Sequence, residues 1–432
     1  RLMKKVLIIT YYWPPGSGPG VQRFLKFSKY LREFAWEPVI LTVDNGSYPS
    51  IDQSLEQDIP KGLYVYRSQS FEPFRWYNLL KGKTSKNASV GAIGLQSRSF
   101  FQRLALYIRA NFFIPDARVG WNRFAIKKAR TIFKEHDIDA IISTGPPHSS
   151  HLIADALKKI YKKPWIADLR DPWTTVFYNA YFPRTESTKK KDKQLEDLVL
   201  KNADSVSVVS QGMHDEFSDR ANDISLIYNG FDDADFKGLK KVKNDKFTIA
   251  YVGNFKPNQN AVLVWECLKE LCDKNTQFKS DLNISLTGNI DSSIVNSLQE
   301  NGLKEQLSIE GFAAHHTAVQ RMLDASLLLF VIPVSERNHL IITGKLFEYL
   351  ATGNPILAIG PTNGNASALL KDAKRDEMLE YNDKDNILLQ IESAYTSWKN
   401  KSIPQYSLND LERFTRRGLT EKLANKLNEL SK

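Results

Sequence analysis

Residues 3–43 read MKKVLIITYYWPPGSGPGVQRFLKFSKYLREFAWEPVILTV, and this segment indicates the fold class. Val6–Thr10 and Glu37–Val43 are apolar runs of strand length, and Gln22–Phe34 between them has the periodicity of a helix. A strand, a turn rich in glycine and proline, a helix and a second strand make one βαβ unit. This order predicts parallel strands with helices packed on the faces of the sheet.

The same alternation continues along the chain and then starts again after a charged stretch, Asp232–Lys246. Further strands are predicted at Ala140–Ser143, Trp165–Ala167, Ser205–Val209, Phe247–Val252, Leu282–Thr287, Leu307–Glu310, Ser326–Ile332 and Pro355–Ile359. Helices of the second half are predicted at Ala261–Asp273, Val295–Asn301, Val319–Asp324 and Lys345–Thr352. We therefore expect two doubly wound α/β domains, with ligands at the carboxyl ends of the strands, in a cleft where two such edges face each other.

The predicted domains are residues 3–235 and 240–404. Pro404 ends the second unit, and Leu408–Leu430 is predicted as one long terminal helix that belongs to the first domain. A chain of 432 residues exceeds the size of a single hydrophobic core, which also favours two domains. Its hydrophobic fraction of 42% and charged fraction of 25% are typical of globular proteins and argue against disorder and coiled coil.

Compartment and partners are constrained by four further features. The longest apolar run, Leu327–Val334, is far shorter than the roughly 20 residues of a membrane-spanning helix. Met3–Ile9 resembles the start of a signal peptide, but its apolar run is short and no small-residue cleavage site follows, which favours a buried strand. Cys267 and Cys272 have neither zinc-site nor redox spacing, so we expect a reduced, cytoplasmic protein. The net charge of +10 predicts an anionic partner.

A first candidate site lies in the loop Trp13–Gly20, between the first strand and the first helix. Glycines at 16, 18 and 20 allow backbone N–H groups to approach a ligand, and a helix N-terminus favours an anion. We therefore expect Gly16, Gly18 and Gly20 to contact a phosphate-bearing ligand. The loop lacks the spacing of a dinucleotide fingerprint or a P-loop, and a plain flexible turn is the alternative.

A second candidate site lies in the segment Thr343–Pro355. Thr343 and Gly344 can open a helix whose first N–H groups are free, and Lys345 adds a point charge suited to phosphate. Glu348 lies on the same helix face, where a carboxylate can accept hydrogen bonds from the hydroxyls of a sugar or ribose. The alternative is an ordinary amphipathic helix with an exposed Lys–Glu pair.

Four stretches of the chain resemble one enzyme family. The group 1 (family 4) GT-B glycosyltransferases have similar motifs, in the same order along the chain. The matching stretches here are Tyr228–Asp232, Ala250–Phe255, Gly311–Phe312 with the following helix and strand, and Glu348–Ile356. The branch with a Thr-Gly-Lys-x-x-Glu-Tyr signature is the most similar. The resemblance implies a GT-B fold, with two Rossmann-like domains and a C-terminal helix that returns to the N-terminal domain. It also implies a retaining transfer of sugar from a UDP- or GDP-sugar to a glycan or polyprenyl-linked acceptor, in surface polysaccharide biosynthesis, without metal or cofactor.

Four positions depart from the family pattern. Leu340 stands where the family has the first Glu of its Glu–x7–Glu pair. Asn254 and Lys256 stand in the region where the family has an Arg and a Lys on the diphosphate, and we assign them to the donor. Arg170 stands where the family has a histidine, so the resemblance makes it a catalytic candidate.

Other candidates for catalysis follow predicted strands. His148 follows Ala140–Ser143 and is expected to touch the sugar or acceptor, whereas His151 is expected to pack inside its helix. Asp168 and Asp171 flank Arg170. A hydrolase with paired carboxylates is conceivable, but we expect one aspartate, for which we choose Asp171, at the acceptor and the other to fix the arginine. Two smaller candidates are His315 with His316, at another strand end, and the Asp232–Asp235 cluster, for which no metal is predicted.

Arg98–Lys134 is rich in basic and aromatic residues and contains a single acidic residue, Asp116. This composition suits an interfacial segment on an anionic bilayer, and it predicts peripheral contact with the inner face of the cell membrane. Nucleic acid could use the same mixture, but no nucleic-acid fold motif accompanies it, and none is expected as a partner. Ordinary core packing of half the aromatics is equally compatible with the sequence.

Two further functions stay open at the level of sequence. A GT-B sugar-nucleotide epimerase or a phosphorylase-type enzyme would share the fold, although no cofactor lysine of a phosphorylase is identified. A non-catalytic basic module that binds nucleotides or nucleic acid would share the charge. Turnover of a nucleotide sugar distinguishes the enzymes from the binding module.

Overall fold

The computed structural model describes residues 3–44, 46–72, 100–176, 179, 182–242, 244–311, 313–402 and 408–432. Pro404, Phe312 and Arg98, which the sequence analysis used, lie outside these residues. The chain forms two compact units: Arg1–Asn229 with Arg416–Lys432, and Gly230–Thr415. The chain thus leaves the first unit just before Asp232–Lys246, the charged stretch in which we expected the boundary.

The first unit contains, within the described residues, a sheet of seven parallel strands. Their bounds are Lys4–Ile9 (β1), Trp36–Val43 (β2), Tyr64–Ser68 (β3), Ala140–Gly145 (β4), Trp165–Leu169 (β5), Ser205–Val208 (β6) and Ile224–Leu226 (β7). Their order in the sheet is β3-β2-β1-β4-β5-β6-β7. The two edge strands β3 and β7 were not predicted, because both are short and only partly buried. Strand β5 extends two residues beyond its predicted end, which places Asp168 inside the sheet.

Helices cover this sheet and its connections. They are Pro19–Tyr30 (α1), Phe100–Phe112 (α2), Asn122–Glu135 (α3), Ser149–Tyr161 (α4), Glu186–Asn202 (α5) and Gln211–Phe217 (α6). Helix α1 begins earlier than predicted because Gly18, with φ of 116°, precedes a proline that is well suited to the first helical position. The predicted continuation to Phe34 is instead a 3-10 turn, Leu31–Phe34, which ends at left-handed Ala35.

The second unit has a sheet of five parallel strands in its described part. The strands are Phe247–Val252 (β8), Leu282–Thr287 (β9), Leu307–Glu310 (β10), Leu327–Val331 (β11) and Ile356–Ile359 (β12), in the order β10-β9-β8-β11-β12. Its helices are Val262–Lys274 (α7), Thr276–Asp281 (α8), Ser292–Glu300 (α9), His315–Asp324 (α10), Gly344–Thr352 (α11), Asn365–Asp372 (α12) and Lys384–Lys399 (α13). The predicted α/β class with two Rossmann-like domains is confirmed.

The predicted single helix over Leu408–Leu430 is wrong. Leu408–Phe414 is a 3-10 turn that stays with the second unit, where the Phe414 carbonyl accepts a hydrogen bond from the Phe231 amide. Helix α14 then runs over Arg416–Leu430 and packs on the first unit, where Trp36 Nε1 donates to Asn428 Oδ1 at 3.0 Å. The terminal helix therefore returns to the first unit as expected.

Both sheets reverse their strand order beside their first strand. The reversal lies between β1 and β4 in the first unit and between β8 and β11 in the second. Such points leave a crevice at the carboxyl ends of the strands, where doubly wound proteins bind ligands.

No helix among the described residues is long and apolar enough to cross a bilayer. Cys267 and Cys272 are buried in α7 as free thiols.

Candidate functional site

In the second unit, Lys345 reaches the loop that follows β8. Its Nζ lies 3.9 Å from the centroid of the Tyr251 ring. Gly253 has a φ of 124°, and a Cβ at this glycine would lie 2.8 Å from the same Nζ. A side chain at Gly253 would therefore displace the ammonium group. The fold brings together two predicted donor segments, the loop containing Asn254 and Lys256 and the start of α11.

Burial lowers the pKa of Lys345 from its ordinary 10.5 to about 7. The charge of Glu348 opposes this effect, and the nearby cation Lys256 adds to it. Near neutral pH the amine therefore exchanges readily between its neutral and charged forms. A phosphate placed beside it would favour the charged form.

The N-terminus of α11 is arranged for an anion. Thr343 is the N-cap residue, but its side chain makes no capping hydrogen bond. Its Oγ1 is buried and has no hydrogen-bond partner among the described residues. Gly344 is exposed, with open space where a Cβ would be. The first-turn N–H groups and the helix dipole thus face a region that can hold negative charge.

Tyr349 fixes this helix against the sheet, and sequence reasoning missed its role. Its hydroxyl accepts a hydrogen bond from the Val252 amide at 3.1 Å, and its ring is fully buried. Glu348, the preceding residue, is only partly buried and lies one turn after Lys345. The tyrosine of the Thr-Gly-Lys-x-x-Glu-Tyr motif is thus an anchor that sets the orientation of α11.

In the first unit, the three loop glycines have three different environments. Gly16 is buried against the Tyr48 ring, so it packs inside the loop instead of facing a ligand. Gly18 caps α1 in a left-handed conformation with open space around it. At Gly20, a Cβ would lie 1.8 Å from a guanidinium nitrogen of Arg170. Of the three, Gly20 therefore has the most specific steric requirement.

Arg170 is held against the first turn of α1 by groups at the end of β4. Its Nε donates to Thr144 Oγ1 at 3.0 Å, and its Nη2 donates to the Pro146 carbonyl. Thr144 Oγ1 donates in turn to Asp168 at 2.9 Å. This chain of hydrogen bonds orients a permanent cation at the position where a histidine was expected from the resemblance.

Asp168 is the buried end of this chain and pairs with Arg23 of α1. The guanidinium donates to both carboxylate oxygens, at 2.7 and 3.3 Å, and Ser207 Oγ donates at 2.7 Å. Both partners are almost fully buried. Asp168 therefore positions Arg170 and is not available as a hydrolase carboxylate, whereas Asp171 is exposed. Arg23 was missed because nothing in a helical pattern marks one arginine as buried.

His148 precedes α4 and stacks on Trp173, with ring centroids 4.6 Å apart and planes 6° apart. Burial lowers its pKa well below the ordinary value, so the imidazole is neutral at physiological pH. It can exchange a hydrogen bond there but carries no charge. His151 is fully buried inside α4 and contacts Ser143 Oγ at 2.8 Å, in the packing role expected for it.

The remaining candidates differ in their exposure and contacts. Asn254 and Lys256 are exposed after β8. His315 and His316 are exposed at the start of α10, and His315 lies 3.4 Å from Asp235. The side chain of Asp232 caps a 3-10 turn. No group of three or more His, Cys, Asp or Glu side chains in the described part of the chain is placed to hold a metal ion.

Comparison with known proteins gives matches at two levels. A family model described as Glycosyltransferase Family 4 matches residues 88–235. A search of curated protein sequences gives no match. Among solved structures, the sucrose-phosphate synthase of Thermosynechococcus elongatus is 13% identical, with 99% of each chain covered and a TM-score of 0.57.

Two further structures are similar over the same length. The Anabaena protein HepE, solved in complex with UDP-glucose, is 14% identical, with 98% of this chain and 99% of that chain covered and a TM-score of 0.56. The lipopolysaccharide outer core galactosyltransferase WaaB is 15% identical, with the same coverage and a TM-score of 0.56. At these identities the likeness establishes the fold. Residues 88–235 thus match the Glycosyltransferase Family 4 model, and the chain as a whole has the fold that these solved structures share.

Proposed function

We propose that the protein transfers a sugar from a UDP- or GDP-sugar to the hydroxyl of a glycan or lipid-linked acceptor. The observation that carries the proposal is the convergence of Lys345, Gly253 and the N-terminus of α11 at the strand-order reversal of the second unit. A free amine, an open helix N-terminus and a glycine loop together form a site for a diphosphate.

In this proposal Lys345 and the first N–H groups of α11 stabilise the negative charge that develops on the leaving diphosphate. Because the pKa of Lys345 is about 7, donor binding above this pH brings a proton with it. Glu348, one turn along the same helix, accepts hydrogen bonds from sugar or ribose hydroxyls. Asn254 and Lys256 lie on the loop beside this site and extend it toward the donor.

The first unit supplies the acceptor side. Arg170 offers a fixed cation, His148 a neutral imidazole and Asp171 an exposed carboxylate, all after the carboxyl ends of β4 and β5. We propose that these groups orient the acceptor hydroxyl. Transfer with retention needs no separate base if the leaving phosphate accepts the proton, and the proposed reaction uses neither metal nor cofactor.

We further propose reversible contact of the first unit with anionic lipid at the inner face of the cell membrane. Helix α2 exposes Leu104, Ile108 and Phe112, which recur at helical spacing, and Phe112 is 74% exposed. Helix α3 exposes a basic face: Arg123, Lys127, Arg130 and Lys134. Each such cation near an anionic surface contributes about 1 kcal/mol. Vesicle sedimentation should depend on anionic lipid and salt, and binding independent of both would contradict the proposal.

The decisive experiment is a mass-spectrometric screen of nucleotide sugars for binding and for release of UDP or GDP. A transferase should release the nucleotide and, with an acceptor glycan, form a glycoside. An epimerase would instead return an isomer of the sugar nucleotide of unchanged mass, resolved by chromatography. A nucleotide-binding module would bind the donor without turnover. Absence of binding to every nucleotide sugar would refute the proposed function.

A further inference from the structure

His136 lies at the amino-terminal edge of the first sheet, at the opposite end of the strands from the candidate site. It is the C-cap residue of α3 and is only 7% exposed. Its Nδ1 lies 3.2 Å from Nζ of Lys5 on β1, and its Nε2 lies 2.8 Å from the hydroxyl of Tyr66 on β3. The ring also packs edge-on against Tyr64, with ring centroids 4.6 Å apart. One imidazole thus joins a central strand of the sheet to an edge strand.

The partners of His136 determine which ring nitrogen carries the proton. A lysine ammonium can only donate, so Nδ1 accepts the hydrogen bond from Lys5. The ring proton therefore lies on Nε2 and is donated to the Tyr66 hydroxyl. That hydroxyl donates in turn to Glu135 Oε2 at 2.5 Å. We call Lys5, His136, Tyr66 and Glu135 the histidine chain. Its hydrogen bonds run in one direction, from an ammonium to a carboxylate, and they require a neutral imidazole.

A second proton on the ring is incompatible with the histidine chain. It would lie on Nδ1 and face the Lys5 ammonium at 3.2 Å, so that two donors and two positive charges would meet. Burial and the charge of Lys5 lower the pKa of His136 from its ordinary 6.5, and the carboxylates of Glu135 and Glu37 oppose this effect. Glu37, on β2, is itself paired with Arg32 at 2.7 Å. Before β4, Asp139 accepts a hydrogen bond from the Lys5 amide at 2.7 Å.

Strand β3 depends on the histidine chain because it is an edge strand. It pairs with β2 on one side, and no strand of the described part of the chain pairs with its other side. The same strand supports the loop Trp13–Gly20, since Arg67 Nη2 donates to the Pro14 carbonyl at 3.2 Å. Without the bond between Lys5 and His136, β3 would lose its link to β1, and its contact with the loop would be weakened.

We propose that His136 is a pH-sensitive switch for strand β3. The neutral ring joins β1 to β3, whereas the protonated ring separates from Lys5 and loosens the edge strand and its contact with the loop Trp13–Gly20. Because the ring is exposed to water when the strand opens, the open state binds a proton more tightly than the closed state. The closed state is therefore fully stable above pH 6.5, and its stability falls as the pH decreases from that value towards the lowered pKa of His136.

The test is hydrogen–deuterium exchange of peptides that cover Tyr64–Ser68, at pH 7.5 and pH 5.0, corrected for the intrinsic pH dependence of exchange. Glutamates stay mainly ionised at pH 5.0, since their ordinary pKa is about 4.3. In the wild type, protection of β3 should fall by about tenfold at pH 5.0, because one proton changes the opening constant by at most about tenfold per pH unit. His136→Gln can accept and donate a hydrogen bond but does not titrate, so its protection should be equal at the two pH values.

Lys5→Met and Lys4→Met form a matched pair, since each removes one positive charge from β1. Lys4 contacts a different part of the unit: its Nζ lies 3.4 Å from the Ser431 carbonyl and 5.6 Å from the centroid of the Trp36 ring. Lys5→Met should lower the protection of β3 at pH 7.5 and make the fall towards pH 5.0 smaller. Lys4→Met should show the protection of the wild type at both pH values.

Equal protection of wild-type β3 at the two pH values would overturn the proposal, as would a fall in His136→Gln as large as that of the wild type. Equal behaviour of the two lysine variants would also overturn it, since the contact between Lys5 and the ring would then have no effect. Thermal melting at pH 7.5 checks that each variant is folded, and the lysine pair decides if His136→Gln is not. No measurement here uses a nucleotide sugar, so the outcome is independent of the proposed function.

Discussion

Replacing Lys345 by methionine tests the donor site through its pH dependence. The pKa of the free lysine is about 7 because its amine is buried, yet a phosphate ligand requires the charged form. Nucleotide affinity should therefore be greatest below pH 7. Above pH 7 it should fall by about tenfold per pH unit, until the higher pKa of the phosphate-bound lysine is reached.

The magnitude follows from the contact that is lost. At pH 6.5, Lys345→Met should weaken UDP or GDP binding by about 1.5–3 kcal/mol, the value of a hydrogen bond to a charged group. At pH 9 the wild type should have lost most of this advantage. Calorimetry over pH 6–9 gives the profile, and the methionine variant controls for titration of the nucleotide phosphate. Binding heats at pH 8 should also depend on the buffer, because a proton is taken up.

Lys345→Met, which should weaken nucleotide binding, should at the same time stabilise the folded protein. The unfolded lysine keeps its pKa near 10.5, so between pH 7 and 10.5 the unfolded state binds more protons than the folded state. The free energy of unfolding should therefore rise with pH across this window. Below pH 7 the full cost of burying the charge is present, and Lys345→Met should raise the melting temperature at pH 6. Unchanged nucleotide affinity together with a flat pH profile would refute the reasoning.

Three further substitutions test the rest of the two sites. Glu348→Gln should keep the melting temperature of the wild type within error. It should lower the rate of sugar transfer at least about 100-fold, which corresponds to about 2.7 kcal/mol of activation free energy. Transfer near the wild-type rate would show that Glu348 has no role in the site. Gly20→Ala should displace the guanidinium of Arg170 and lower the rate of sugar transfer, while nucleotide binding by the second unit stays intact. Gly18→Ala is the control for backbone strain alone, because Gly18 lies in open space but has a positive φ. Equal losses of transfer in the two variants would argue against the displacement. Asp168→Asn leaves the buried Arg23 cation without its counter-charge and should destabilise the protein by about 3–5 kcal/mol in urea titration, whereas a change below about 1 kcal/mol would contradict the observed ion pair.

Prediction from sequence succeeded where the signal is local and periodic. The strand β8 and the helix α11 were placed within one residue, because apolar periodicity and the glycine and proline stops are readable in a single segment. It failed at the short edge strands and at the terminal helix. In the latter, Leu408–Phe414 has helical spacing but its backbone is held by contacts to the second unit, so tertiary packing overrides local propensity.

The sequence by itself determined the α/β class and the two-domain organisation, and it predicted loops at the strand ends as the place of the ligand-binding residues. Those properties depend on spacing within a few residues. Only the tertiary structure decided which distant residues meet: Lys345 with Gly253, and Arg23 with Asp168. Each of these contacts joins residues from separate segments of the chain, and no local pattern gives the strand order that brings each pair to the edge of its own sheet. The physical consequences, a lysine with a pKa of about 7 and an aspartate buried in an ion pair with Arg23, arise from burial, which exists only once the sheets have formed.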